Sequence, residues 1–362
     1  MRGCLGIILM LCFIVSSAHA NNGKEQFQQS YAAFQEALQT DANAVELTQL
    51  AEDAYQSGER YFGTDHINTA NLKLSYLNVV DAHTLRSRTS QLLAEEVVKI
   101  YRSFYDANDP ERTVALLVAL NTLSSQSDLD TANDYYDEII AIAETNTAEQ
   151  PSAMFELRIE AAAHMLRIGS RSSHDLVDLA ETASAQFGSQ HHLTLLANFH
   201  AGRYFEAAQQ HDQALEAFTL LAAHDAESLP AALQDAKYMS HARLVALLEQ
   251  QGRSDEATQH CLAISQMGYG VQDERDPTPL YRVPPEYPRP FAHNGVEGVT
   301  TVRYDIDEMG WVRNIEILDS KHKLFSESAI AAMQQWRFAP RLHEGETVVT
   351  SDRTTRFIFE LD

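Results

Sequence analysis

Cysteine is almost missing from this chain. There are 3 in 362 residues, and Cys4 and Cys12 fall within the first 20. Beyond them Cys261 stands alone, so no internal disulfide can form there and stability must come from a packed core. Glycine (15) and proline (10) are sparse, which excludes collagen-like and low-complexity chains. Basic side chains are outnumbered, 27 Lys and Arg against 51 Asp and Glu, for a formal charge of −24. Nucleic-acid binders need clustered cations to replace phosphate counterions, and anionic lipid surfaces attract the same residues, so neither partner class fits. Enzyme signatures are missing too. His191-His192 and the scattered histidines show no H-E-x-x-H spacing, and there is no G-x-S-x-G and no phosphate loop. No enzyme, cofactor, metal or small-molecule substrate is expected.

Two local patterns have plainer explanations. Asp305, Asp307, Gly310 and Glu316 match four positions of a calcium loop, but Met309 stands at a ligand position and strands flank the segment. A hairpin turn uses the same Asp and Gly residues. Cys261 lies in a helix-forming stretch and reads as a small buried apolar residue rather than a reactive thiol.

Arg2 is the one charge in the first 20 residues. It precedes an 11-residue apolar run, Leu5–Val15, then Ser16, Ser17 and Ala18-His19-Ala20. A basic tip, a short apolar stretch and a small-x-small ending describe a secretory signal peptide over 1–20, cleaved after Ala20. A membrane span needs roughly 20 apolar residues. The expected compartment is the periplasm.

Residues 21–275 are rich in Ala, Leu, Gln and Glu, which is helix-forming composition. Phe27, Tyr31, Phe34 and Leu38 form one apolar stripe. Internal similarity recurs with a period near 42 residues. Leu50-Ala51-Glu52 returns as Leu93-Ala94-Glu95 and Leu179-Ala180-Glu181, and Phe62-Gly63-Thr64-Asp65-His66 with Thr69 returns as Phe187-Gly188-Ser189-Gln190-His191 with Thr194. Ala201-Gly202-Arg203-Tyr204 through Ala217-Phe218 resembles the small-residue and aromatic pattern of the tetratricopeptide family. That resemblance implies stacked helix pairs with a concave surface for a partner protein. The segment carries 37 acidic and 16 basic residues, first of all a solvated helical surface.

Six prolines between Pro277 and Pro290 mark a linker into an extended segment. Thr300, Val302, Tyr304 and Ile306 alternate as one strand, Asp307-Glu308-Met309-Gly310 turns, and Trp311–Leu318 returns. Phe325, Ala329, Met333 and Trp336 share a helix face, Pro340 stops it, and Arg341–Val349 is a loop or short strand bent at Gly345. Thr354–Leu361 is the last strand. The expected fold is mostly α: a tetratricopeptide-like solenoid over 21–275, then a small α+β domain over 276–362 in the order strand, strand, helix, strand.

Five ordered pieces carry a second resemblance: Pro284-Pro285-Glu286-Tyr287-Pro288, Gly295-Val296-Glu297-Gly298, Asp307–Gly310, Trp336-Arg337-Phe338-Ala339-Pro340 and Thr355-Arg356-Phe357-Ile358-Phe359. Residues 280–361 resemble the C-terminal domain of the TonB family. The resemblance implies a module that captures a short peptide of an outer-membrane TonB-dependent receptor as an added strand. The residues it points to are Tyr287, Pro288, Thr354, Thr355, Arg356, Phe357, Ile358 and Phe359. Tyr287 serves either the peptide or local packing, Trp336 the core, and Arg337 either a carboxylate or a solvated helix end. Energy transducers of that family keep an N-terminal membrane helix, whereas this chain starts with a cleavable-looking signal. Peptide binding therefore fits better than energy transduction. The alternative is an envelope scaffold whose TonB-like domain mediates dimerisation or wall contact through its sheet edges.

Overall fold

The structure is a computed structural model and describes residues 20–40, 42–225, 229–267, 277–292 and 295–360. Residues 1–19 of the expected signal peptide, the start of the linker at Asp276 and the last-strand residue Leu361 lie outside the described residues. Among the described residues no helix is long and apolar enough to cross a membrane.

The chain divides between Gly188 and Ser189 into two compact units. The first is all helical: α1 (Ala20–Gln39), α2 (Ala44–Phe62), α3 (Ile67–Val79), α4 (Ala82–Leu85), α5 (Arg88–Phe104), α6 (Arg112–Thr122), α7 (Leu129–Asn146), α8 (Pro151–Ile168) and α9 (Asp175–Phe187). Each long helix packs on the next, and α3 with α6, and α6 with α8, also touch across one intervening long helix. Packing in this unit thus runs mainly between helices that follow one another in the chain. Ala51, Ala94 and Ala180 from the recurring Leu-Ala-Glu are all buried, each on a different helix. Small side chains there let neighbouring helices approach.

The Phe-Gly-x-x-His motif proves to be a helix connector. Gly63 ends α2 at φ +94 and Gly188 ends α9 at φ +85, a backbone state that L side chains rarely adopt. Four residues before Ala70, the His66 ring accepts the Asn68 N–H and so caps α3; Thr69 Oγ1 donates to the Gly63 carbonyl at 2.7 Å. His191 caps the helix that follows it by accepting the Leu193 N–H at 3.2 Å.

The second unit opens with α10 (His192–Ala207), α11 (His211–Ala222), α12 (Ala231–Gln250) and α13 (Ser254–Gln266). A Cβ on Gly202 of α10 would lie 2.8 Å from the Phe218 ring of α11, so the small-residue and aromatic pattern reflects close helix packing. The small domain follows: β1 (Pro279–Tyr281), α14 (Arg289–Ala292), β2 (Gly298–Ile306), β3 (Val312–Ser320), α15 (Lys323–Met333), β4 (Arg337–Phe338), β5 (Arg341–His343), β6 (Glu346–Val348) and β7 (Thr350–Phe359). β2, β3, α15 and β7 are the four elements read from the sequence. β1 pairs with β4, and β5 with β6 across Glu344-Gly345 at φ +50 and +86. One face of β2, with Val302, Tyr304 and Ile306, packs on Phe325, Ala329 and Met333 of α15 and on Trp336, Phe338, Phe357 and Phe359. Trp336 is core, and its Nε1–H donates to the Val283 carbonyl at 2.9 Å.

Candidate functional site

β2 is the middle of the three-stranded sheet, antiparallel to β3 on one side and β7 on the other. Each outer strand therefore has one flank without a strand partner among the described residues. The two flanks are not equivalent. β3 slips register against β2 twice, between Thr301 and Val302 and between Arg303 and Asp305. Asn314 sits at φ +50, and its Nδ2 donates to Asp305 at 2.7 Å. Exposed Arg313, Glu316 and Asp319 line the same strand. Bulges and charges blunt an edge against pairing.

β7 slips only near its start, opposite Tyr304 to Ile306, where Asp352 has φ +57 and donates its N–H to Asp305 at 3.0 Å. From Arg353 to Phe359 it runs in unbroken register against Tyr304 to Gly298. The regular edge without a strand partner among the described residues is thus that of β7. The carboxylates with calcium-loop spacing are engaged in the hairpin. Asp305 braces both bulges, and Asp307 accepts the Met309 and Trp311 N–H groups and the Arg313 guanidinium at 2.8–3.0 Å. Among the described residues no group of three or more His, Cys, Asp or Glu is arranged to hold a metal ion.

Alternation along β7 sorts the residues named from sequence. Phe357 and Phe359 point inward and are buried, with ring centroids 5.5 Å from Trp336 and 4.6 Å from Phe325 respectively. They anchor the strand and offer a partner only their backbone. Thr354, Arg356 and Ile358 are exposed on the open face, Ile358 at 57%. Thr355 is half-buried. Tyr287 lies edge-on to Phe325 and Phe359 at 6.1 Å, and its hydroxyl donates to the Val296 carbonyl at 2.7 Å. The structure thus joins Tyr287 to the end of β7 through packing. Pro288 lends its carbonyl to the Phe291 and Ala292 N–H groups at the start of α14.

Arg337 corrects the sequence reading of a solvated helix end. It is fully buried. Its Nη1 pairs with Glu249 of α12 and reaches the Ser254 carbonyl at 3.4 Å. Nη2 donates to Thr258 Oγ1 at 2.7 Å, the Met309 carbonyl at 3.2 Å and Cys261 Sγ at 3.6 Å, and the guanidinium lies 3.8 Å from the Trp311 ring centroid. Ser265 Oγ of α13 adds a bond to the Pro340 carbonyl at 2.5 Å, and Leu280 and Tyr281 of β1 pack against the helical core. The Pro-rich segment was expected to be extended; it holds β1 but ends in the short helix α14, which includes Pro290, and β1 docks on α12 instead of trailing free. Burial pushes the Cys261 thiol up to about 12, so it stays protonated and inert. The docked end is the one with the β2–β3 turn; Phe359 and Tyr287 lie at the other end of β7.

Residues 283–361 match the family described as Gram-negative bacterial TonB protein C-terminal. Protein TonB of Pseudomonas aeruginosa is 33% identical over 94 residues, which are 26% of this chain and 27% of that protein. Protein TonB of Yersinia enterocolitica is 34% identical over 93 residues, 25% of this chain and 34% of that one. A solution NMR structure of the Pseudomonas aeruginosa TonB CTD, 33% identical, covers 25% of this chain and 91% of its own, with a TM-score of 0.23. The similarity to the TonB C-terminal domain is confined to the end of the chain, residues 283–361. The chain spans 27% and 34% of the length of the two curated relatives it matches.

Proposed function

We propose that this chain is a periplasmic TonB-like protein that acts with TonB-dependent outer-membrane receptors. Its C-terminal domain captures an extended receptor peptide as a fourth strand along β7, and its helical repeats, of tetratricopeptide type, engage a second protein. It is a binding protein and not an enzyme. One observation carries the reading. A domain similar to the TonB C-terminal domain here presents a regular strand edge, Arg353–Phe359, with no strand beside it among the described residues. Unpaired main-chain donors and acceptors on such an edge pair readily with an extended peptide, and alternate side chains then set selectivity. The bulged, charged flank of β3 is the poorer host.

The reading is tested with peptides from the N-terminal segments of TonB-dependent receptors, titrated into the full chain while backbone amides are followed by NMR. Shifts that saturate and concentrate in Arg353–Phe359 are expected. Saturable binding that leaves those amides unmoved would remove strand capture from the account.

A further inference from the structure

The helix pair that grips the small domain carries a buried histidine contact that the peptide reading does not use. His241 of α12 and His260 of α13 bring their Nδ1 atoms to 2.9 Å, with ring centroids 5.1 Å apart. His241 is buried and also hydrogen-bonds the backbone of Ala222 at the end of α11. With Nδ1 turned to His260, that second bond places the His241 proton on Nε2. In the neutral pair, then, His260 Nδ1–H donates and His241 Nδ1 accepts. The pair stands within the dock. Glu249 of α12 holds Arg337. On α13, Thr258 and Cys261 hold Arg337 and Ser265 holds the Pro340 carbonyl, so His260 lies between the gripping residues in sequence. The grip needs both helices in place.

Two charges act on the rings. Lys237, one turn before His241, opposes its protonation, and Glu256, one turn before His260, favours that of its neighbour. Lys237 Nζ donates to the His224 carbonyl with Asp225 nearby, and Glu256 pairs with Arg253. The other charged or titratable groups on the packed elements stand elsewhere. On α10, Glu206 pairs with Arg243, Arg203 lies by the same Arg243, and His200 bonds Arg203. On α11, His211 and Asp212 are at the end opposite Ala222, and Glu216 is exposed. Tyr281 of β1 lies by Glu249, and Arg341 and His343 of β5 follow Pro340. His260 therefore takes the first proton, on Nε2, and keeps its Nδ1–H bond to His241. A second proton, on His241 Nδ1, sets two N–H donors against each other with no acceptor between them. We propose that this pair is an acid-sensitive latch: protonation of both rings shifts α12 and α13 toward a parted state that releases the small domain from Glu249, Thr258 and Ser265. The parted state binds more protons, so it gains population as pH falls.

The test uses the full chain with Cys261 as reporter, since the dock covers it. Its modification by dithiodipyridine, which attacks thiols in acid as well as at neutral pH, is followed at pH 7.5 and 5 by mass spectrometry of the Cys261 peptide. Rates are normalised to a short unstructured cysteine peptide at each pH, and far-UV circular dichroism follows the helices. His241 is held down to about 4 in the closed pair and is free to titrate near 6.5 in the parted one, so the open population should rise about thirtyfold between the two pH values. The parent should show that gain with its helix signal intact. His241→Gln keeps a neutral hydrogen-bonding group at the contact that takes up no proton, and should hold the gain below about threefold. His241→Asn serves instead if the glutamine variant loses helix signal at pH 7.5. No acid gain in the parent, a gain that follows loss of the helix signal, or an equal gain in the His241 variant overturns the latch.

Discussion

Arg337 is the residue whose role sequence could least define. Its partner Glu249 lies 88 positions away, a separation no local pattern reports. A buried ion pair gains little over an apolar replacement, yet removing one member strands the other. Arg337→Met alone should therefore cost about 3–5 kcal/mol, and Arg337→Met with Glu249→Leu should recover most of that loss, as urea unfolding of the full chain can measure. A second residue-scale prediction concerns His241 and His260, whose Nδ1 atoms are 2.9 Å apart between α12 and α13. Burial, then the neighbouring ring and Lys237, pull His241 down to about 4; burial lowers His260 as well. Both rings fold neutral, whereas the unfolded chain takes up protons below about 6.5. The unfolded state then binds more protons, so stability is full above pH 6.5 and falls as pH drops toward 4. The loss from His241 is on the order of 3 kcal/mol. His241→Gln with His260→Gln should flatten that part of the pH profile relative to the parent, read from urea midpoints at pH 7.5 and 4.5.

Elements were legible where a period or a turn residue is local. The alternation in β2, the Asp307–Gly310 turn and the apolar face of α15 appear in the structure as read, but α15 ends at Met333, so Trp336 lies beyond it and Pro340 follows β4 instead of stopping the helix. What stayed hidden was contact between elements distant in sequence: β1 within the Pro-rich segment pairing with β4, and α12–α13 holding the domain through Arg337, Ser265 and β1. The inward turn of Phe357 and Phe359 was legible from alternation, but which flank of the sheet stays regular was not, because bulges such as those at Asn314 and Leu318 leave no compositional mark. The docked helix pair has a consequence. Residues 189–362 should unfold as one cooperative transition, and 276–362 alone should melt at a lower temperature, since it exposes Arg337, Trp311 and Leu280. Calorimetry of the two fragments checks this; equal midpoints would show that the helices add nothing to the domain.

At the scale of the whole molecule, charge and function separate along the chain. The helical stretch 21–275 carries 37 of the 51 acidic residues, while the proposed peptide edge belongs to the C-terminal end of the second unit. Peptide affinity should therefore survive deletion of residues 21–188 within about twofold, whereas recovery of envelope proteins on the repeats should not. Leu-Ala-Glu and the Phe-Gly-x-x-His connector stood out in the sequence because they serve helix packing and capping. The identity of a repeat partner was not readable, since a solvated acidic surface and a binding surface have the same composition. The central claim is that β7, and not β3, accepts a foreign strand. Amide hydrogen exchange of the full chain with and without a receptor N-terminal peptide tests it most directly. Slowed exchange in Thr350–Phe359 with Val312–Ser320 unchanged is the predicted result; slowing confined to Val312–Ser320, or absent from both strands under saturating peptide, contradicts it.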